Sequence, residues 1–193
     1  VAKLKSRGVS PVCYINAGAW EEWRPDAGEF PDSVKGTNLD GWPGEKWLDI
    51  RNIDALKPVM EKRILMCKEK GFVAIDPDNT DGWTQYTGFN ITRADQVRYQ
   101  KMLSEIAHNN GMAIGLKNDV EQIGDMAPYV DFAVNEECHK YKECGVYEPF
   151  LASGKPVFNI EYGPYSDQVC KTTPVGMVTV FKDLELGRFH REC

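Results

Sequence analysis

Several features are scarce or missing in this chain of 193 residues, and each absence narrows the possible functions. The three histidines, His108, His139 and His190, are scattered and no Cys-x-x-Cys pair occurs, which argues against a structural zinc site. No apolar run approaches the roughly 20 residues needed to span a bilayer. The net charge of -6 disfavours nucleic acid and anionic membranes as partners. We therefore expect no metal, no other cofactor, and a neutral or cationic substrate.

The chain also lacks an initiating methionine and a signal peptide, so we expect a processed or trimmed product. Its six cysteines favour disulfides formed in an oxidising compartment, which indicates a secreted, extracellular protein. Two pairs are expected, Cys138 with Cys144 and Cys170 with Cys193. Cys13, in an apolar strand, and Cys67, in a helix, are candidates for reduced and buried thiols.

Short apolar strands alternate with amphipathic helices along the chain. The predicted strands are 11–17, 47–50, 72–75, 112–116, 130–134, 156–160 and 177–181. The clearest helices are 58–70 and 92–110, and the second begins with Thr92 and Asp95 in capping-box spacing. This alternation predicts the α/β class, and polar residues after the strands favour a TIM-like (β/α)8 barrel over an open sheet. Such barrels take about 250 residues, so we expect a single domain, 1–193, that is N-terminally incomplete and lacks the first strand.

Acids and amides cluster where two predicted strands end, at Asp76-Pro77-Asp78-Asn79-Thr80-Asp81 and at Asn135-Glu136-Glu137. Carboxylates on separate strand ends of a barrel are the usual equipment for cleaving a glycosidic bond. An EF-hand calcium loop counted from Asp76 would need Gly at position 6 and Glu at position 12, and neither is there. A solvated acidic turn remains an alternative for the first cluster.

Other residues near strand ends suit a sugar ligand. Lys117 and Asn118 follow the fourth predicted strand and offer an ammonium and an amide to hydroxyl groups. Trp20 and Trp23 lie in a long polar loop, where they either stack on sugar rings or cover the core, and the sequence does not separate these two roles.

The segments that carry these residues resemble glycoside hydrolase family 114, the endo-α-1,4-polygalactosaminidases. The matching segments are CYINAGAWEEWRPD, WPGEKWLDIRN, GFVAIDPDNTDGW, TGFNITRADQ, GLKND, DFAVNEEC and VFNIEYG. The resemblance implies a TIM-like barrel that cleaves α-1,4-linked galactosamine polymers of exopolysaccharide, such as galactosaminogalactan. It also implies Asp78 and Glu136 as the catalytic pair. Asp76 departs from the family, which usually has Glu before the proline.

We therefore predict a secreted, monomeric, endo-acting glycoside hydrolase with Asp78 as nucleophile and Glu136 as general acid/base. Three alternatives remain open. The two acids could exchange roles, Asp76 could replace Asp78, and hydrolysis could retain or invert the anomeric configuration. The expected substrate-binding residues are Tyr14, Trp20, Asp49, Asp76, Asn79, Asp81, Trp83, Lys117, Asn118, Asn135, Glu161 and Tyr162. The alternatives are a non-catalytic carbohydrate-binding barrel protein and a metal-dependent deacetylase or other hydrolase, which the scarcity of histidine disfavours.

Overall fold

The computed structural model describes residues 1–193 and divides them into two units, residues 1–117 and residues 118–193. We call these the N-terminal unit and the C-terminal unit. Each contains parallel strands with intervening helices, so the predicted α/β class is confirmed. Closure into a barrel and the missing first strand stay predictions. None of the helices is long and apolar enough to cross a membrane.

The elements of the N-terminal unit are, in chain order, α1 (Ala2–Lys5), β1 (Val12–Asn16), β2 (Ala19–Glu21), β3 (Lys35–Asn38), β4 (Glu45–Leu48), α2 (Ile53–Glu69), β5 (Ala74–Asp78), α3 (Arg93–Asn109) and β6 (Ala113–Lys117). Strands β1, β5 and β6 form a parallel sheet in that order. In its register Tyr14 lies level with Asp76, and Asn16 lies level with Asp78. The sheet therefore aligns two predicted acids with two polar residues of β1.

A second, antiparallel sheet of order β2-β4-β3 occupies the segment that the sequence analysis interpreted as a long loop. The predicted strand 47–50 is observed two residues earlier, as β4, and it pairs in this small sheet rather than in the parallel one. Ala19, Leu39 and Trp47 form its buried apolar cluster. The sheet is stabilised by this cluster, because a three-stranded sheet needs an apolar face to be stable.

The two long helices differ in how well the sequence predicted them. Helix α3 begins as expected, with Thr92 and Asp95 in a complete capping box. Helix α2 begins at Ile53, so the start predicted at Pro58 is wrong. The side chain of Asn52 caps α2 by accepting a hydrogen bond from the Ala55 amide at 3.3 Å. Pro58 lies in the second turn, where it removes one amide donor without ending the helix.

The elements of the C-terminal unit are α4 (Ile123–Met126), β7 (Phe132–Glu136), α5 (Cys138–Tyr141), α6 (Glu148–Ala152), β8 (Val157–Tyr162), α7 (Asp167–Thr172), β9 (Met177–Lys182) and β10 (Arg191–Glu192). Strands β7, β8 and β9 are parallel, and β10 runs antiparallel to β9. The sequence did not predict β10, because a two-residue strand has no periodicity to detect.

All six cysteines are in disulfides. The two bonds expected from the sequence, Cys138–Cys144 and Cys170–Cys193, are both present. The interpretation of Cys13 and Cys67 as reduced thiols is wrong, since they form a third disulfide that joins β1 to α2. The error arose because these cysteines are 54 residues apart in sequence and only the fold brings their Cα atoms within 6.0 Å.

Candidate active site

Three parallel strands each end at a charged candidate residue, which is the last residue of the strand rather than the one after it. These residues are Asp78 in β5, Lys117 in β6 and Glu136 in β7. The next residue is left-handed in each case, with φ of 59° at Asn79, 51° at Asn118 and 63° at Glu137. Asparagine tolerates this conformation, whereas a glutamate in it carries strain of about 1–2 kcal/mol. Sharp turns of this kind stop the strand and are enriched at functional sites.

The Asp78 carboxylate is held by two side chains of the N-terminal unit. Its Oδ2 accepts a hydrogen bond of 2.8 Å from the Tyr14 hydroxyl, and its Oδ1 lies 3.2 Å from Nζ of Lys117. Lys117 is buried, and its ammonium also lies 6.0 Å from the centre of the Tyr14 ring. These contacts fix the carboxylate and place a cation beside it. The structure thus brings together three of the residues predicted from the sequence.

Tyr14 is suited to remain a hydrogen-bond donor. Desolvation of its hydroxyl, followed by the negative charge of Asp78, raises the pKa of Tyr14 well above its ordinary value. The residue as a whole is nevertheless 47% exposed. Tyr14 therefore stays protonated at neutral pH and presents an aromatic surface to solvent.

Asn16 links the end of β5 to an acid that the sequence analysis missed. Its Oδ1 accepts hydrogen bonds from the Ala19 amide at 2.8 Å and from Nδ2 of Asn79 at 3.0 Å. Its Nδ2 donates to Oε2 of Glu45 at 3.0 Å. Asn79, a predicted site residue, is thus joined to Glu45 through Asn16.

Glu45 and Glu21 are buried acids of the small sheet. Desolvation raises the pKa of Glu45, and the nearby charges of Glu21 and Asp78 raise it further. Nε and Nη2 of Arg24 donate to the two carboxylate oxygens of Glu21, at 2.6 and 2.9 Å. The sequence did contain a signal for the burial of Glu45. It lies two residues before Trp47, and residues i and i+2 of a strand share a face.

Four other predicted substrate ligands of the N-terminal unit have local partners. Asp49 forms a two-point ion pair with Arg51 at 2.7 and 2.9 Å, which fixes the position of its carboxylate. Trp20 donates to the Ala27 carbonyl at 3.0 Å beneath the ammonium of Lys35. The remaining contacts are from Asp81 to Gln85 at 3.0 Å and from Trp83 to the Arg93 guanidinium at 5.1 Å. Asp76 lies level with Tyr14 in the register of β5 and β1. Trp23, by contrast, is 55% exposed and presents its ring to solvent.

Glu136 is the centre of a polar cluster in the C-terminal unit. Its Oε1 accepts a hydrogen bond of 2.5 Å from the Tyr162 hydroxyl, and its Oε2 accepts one of 3.1 Å from Nδ2 of Asn118. The Glu136 amide donates to Oδ1 of Asn118 at 2.9 Å. Asn135 reaches the same Oδ1 at 3.4 Å. Four predicted residues therefore come together, and both oxygens of the candidate acid are oriented.

Glu161 was predicted to bind substrate with Tyr162, but its carboxylate joins a different set of groups. Its Oε1 accepts hydrogen bonds from the His139 amide at 2.9 Å and from Nδ2 of Asn159 at 3.0 Å. Neighbouring residues of a strand point to opposite faces, which explains why Tyr162 reaches Glu136 and Glu161 does not. Glu161 thus lies at a site of its own.

One group of side chains has the composition of a metal site. The ligand atoms of Cys138, His139 and Cys144 lie within 4.8 Å of one another. The two sulfurs are joined to each other in a disulfide, so neither is a thiolate able to bind a metal. The group therefore serves to close the turn after Glu136.

Comparisons with known proteins identify the family and the fold. The family model described as glycoside-hydrolase family GH114 matches residues 1–193. The crystal structure of Aspergillus fumigatus Ega3 in complex with galactosamine is similar with a TM-score of 0.94 and 35% identity, over 100% of this chain and 82% of that one. The glycoside hydrolase domain of PelA from Pseudomonas aeruginosa shares the fold, with a TM-score of 0.73 and 13% identity, over 98% of this chain and 84% of that one. No curated protein matches the chain. The chain belongs to glycoside-hydrolase family GH114.

Proposed function

We propose that this glycoside hydrolase cleaves α-1,4-linked galactosamine polymers at internal bonds, with Asp78 and Glu136 as its carboxylate pair. The observation that carries the substrate assignment is the similarity, over the whole chain, to a relative solved with galactosamine. The net charge of -6 supports it, because de-N-acetylated galactosamine carries an ammonium group. The three disulfides support action in an oxidising, extracellular environment.

The surroundings of the two acids support a division of roles. A nucleophile must be ionised, and Asp78 has the ammonium of Lys117 at 3.2 Å. The Glu136 carboxylate accepts hydrogen bonds from the neutral groups of Tyr162 and Asn118, which orient its two oxygens for proton transfer to and from the substrate. We therefore assign Asp78 as the nucleophile and Glu136 as the general acid/base.

In this proposal Asp78 attacks the anomeric carbon while Glu136 protonates the departing glycosidic oxygen. The resulting glycosyl ester on Asp78 is then hydrolysed by a water molecule whose proton is taken by Glu136. Configuration at the anomeric carbon is retained, because it is inverted twice. Tyr14 and Tyr162 each donate a hydrogen bond to one carboxylate, which keeps both acids in position through the cycle.

Hydrolysis of de-N-acetylated polygalactosamine by Asp78→Asn and Glu136→Gln tests the assignment. We expect each variant to lose about 10³-fold or more in kcat, since removing one member of a catalytic pair typically costs this much. Asp40→Asn and Glu105→Gln, at exposed residues, are the matched controls and should keep wild-type activity. Activity retained by Glu136→Gln or Asp78→Asn would overturn the pair.

The same assay separates the competing functions. A carbohydrate-binding protein would retain the polymer without releasing new reducing ends, and a deacetylase would release acetate from acetylated polymer without shortening it. The anomer formed first, measured by proton NMR, decides between retention and inversion.

A further inference from the structure

A pocket of the C-terminal unit lies next to the Glu136 cluster but is built from other groups. It is bounded by α5, the end of β8, the segment leading to α7, and β9, and its principal residues are Glu137, His139, Lys140, Glu161, Tyr162 and Phe181. Tyr162 is among the residues at the edge of the pocket, although its hydroxyl donates to Glu136 on the face of β8 opposite to Glu161. A ligand in the pocket would therefore adjoin a residue that orients the candidate acid.

The carboxylate of Glu161 is the unusual feature of this pocket. The residue is only 7% exposed, and its Oε1 accepts two hydrogen bonds, from the His139 amide and from Asn159. Its Oε2 has no hydrogen-bond partner in the protein, and no cationic side chain pairs with it. Oε2 is not completely buried, so it is accessible to a cation that enters the pocket and can accept a charge-assisted hydrogen bond from it.

The other charged side chains that line the pocket do not pair with the Glu161 carboxylate. The ammonium of Lys140 lies 2.8 Å from both carboxylate oxygens of Glu137, so these two charges neutralise each other. The ring of His139 is engaged through Nε2 with the Thr173 hydroxyl at 3.0 Å. The pocket therefore keeps one uncompensated negative charge, at Glu161.

We propose that this pocket is an aminosugar subsite, in which Glu161 binds the ammonium of a galactosamine unit of the polymer. The inference rests on the proposed function, because the polymer supplies a series of such amines. Pro164, Val169 and Phe181 offer apolar walls for the hydrophobic face of the sugar ring. A calcium ion fits less well, because it takes six to eight oxygen ligands and Glu161 offers one free oxygen. The subsite would favour units without an acetyl group, since acetylation removes the charge.

Binding of monosaccharides, which contain no bond to cleave, tests the subsite independently of hydrolysis. In the wild-type protein, galactosamine should shift the amide NMR resonances of Lys140 and Ser166, and N-acetylgalactosamine at the same concentration should not. Glu161→Gln retains an oxygen for the two hydrogen bonds and removes the charge. We expect it to weaken galactosamine binding at these amides about tenfold or more, the effect of losing one charge-assisted hydrogen bond.

Glu148→Gln removes an exposed acid of the same unit and serves as the control, with unchanged affinity expected. Equal galactosamine affinity in Glu161→Gln and wild type would overturn the proposal. Equal resonance shifts of the wild-type protein with both sugars would also overturn the proposal. This measurement does not depend on the folding of any variant. The proposed function is tested separately, because it fails only if the wild-type protein does not cleave the polymer. That result is independent of the NMR shifts.

Discussion

Gly18 lies where two chain segments approach too closely for a side chain. A Cβ at this position would lie 1.6 Å from the carbonyl oxygen of Asn79, and that oxygen belongs to the backbone. The amides of Ala17 and Gly18 both donate to the Asp78 carbonyl at 3.0 Å. Any side chain at residue 18 therefore displaces the end of β5, where the proposed nucleophile lies.

We expect Gly18→Ala to lower kcat/KM by about 100-fold, because a displacement near 1 Å of a catalytic group costs this much. The strain should also destabilise the fold by about 1–3 kcal/mol. Steady-state kinetics and urea unfolding measure the two effects. Gly28→Ala is the matched control, since a Cβ there meets no atom within 4 Å. Wild-type kinetics in Gly18→Ala would contradict the prediction.

Glu45 should make the free energy of unfolding depend on pH. Its pKa is raised by desolvation and by neighbouring acids, so the folded protein holds the proton more tightly than the unfolded chain. The free energy of unfolding should therefore fall as pH rises from the ordinary carboxyl range through the raised pKa. Glu45→Gln preserves an oxygen for Asn16 and removes the charge, so this fall should be smaller in the variant.

Urea unfolding at a series of pH values tests this, with Glu105→Gln as the exposed control. At neutral pH the Glu45→Gln variant should have a higher free energy of unfolding than wild type. The difference between the two proteins should be smaller at acid pH. Parallel pH profiles for wild type and Glu45→Gln would show that the burial of this acid has no energetic consequence.

At the scale of elements, the sequence predicted the positions of the parallel strands better than their ends. Apolar runs marked β5 and β7, yet both strands continue through polar residues to Asp78 and Glu136. Parallel pairing uses backbone groups, so it does not stop where side chains become polar. Strands β2 and β3 of the small sheet were missed because they have only three and four residues, too few to show an alternating pattern. Glu45 was missed because β4 begins two residues before the predicted strand.

The pairing between α2 and the loop before β3 gives a prediction at the same scale. Arg63 of α2 is buried and donates to both oxygens of Asp26, at 2.7 and 2.8 Å, and to the Asn16 carbonyl at 2.7 Å. Its guanidinium lowers the pKa of Asp26. We expect Asp26→Asn to destabilise the protein by about 2–3 kcal/mol, because it leaves a buried cation without its counter-charge.

The sign of the pH effect follows from the lowered pKa. The stabilisation by Asp26 should be present above the ordinary carboxyl pKa and lost as pH falls through the lowered one. Wild type and Asp26→Asn should therefore differ in unfolding free energy at neutral pH and converge in acid. Asp32→Asn, at a fully exposed carboxylate that pairs with Lys35, should change the unfolding free energy little. A difference between wild type and Asp26→Asn that persists unchanged in acid would refute this account.

For the whole molecule, the acidic balance predicts how salt affects substrate binding. The net charge of -6 and acids such as Asp76, Asp78 and Glu161 should attract a polycationic polymer. Salt screens this attraction, with a Debye length of about 10 Å at 0.1 M. We therefore expect KM to rise with ionic strength for de-N-acetylated polymer and to rise less for fully acetylated polymer. Equal salt dependence for the two would assign substrate choice to shape and to stacking on exposed rings such as Trp23.

The three disulfides also bear on how the chain matures. They join the first cysteine to the second, the third to the fourth and the fifth to the sixth. Six cysteines allow about 15 pairings, and this is the one in which no bond crosses or encloses another. If the chain entered an oxidising compartment with its N-terminal end first, the native partner of each unpaired cysteine would be the next cysteine to arrive. Oxidation in the order of arrival would then form the three native bonds without thiol exchange.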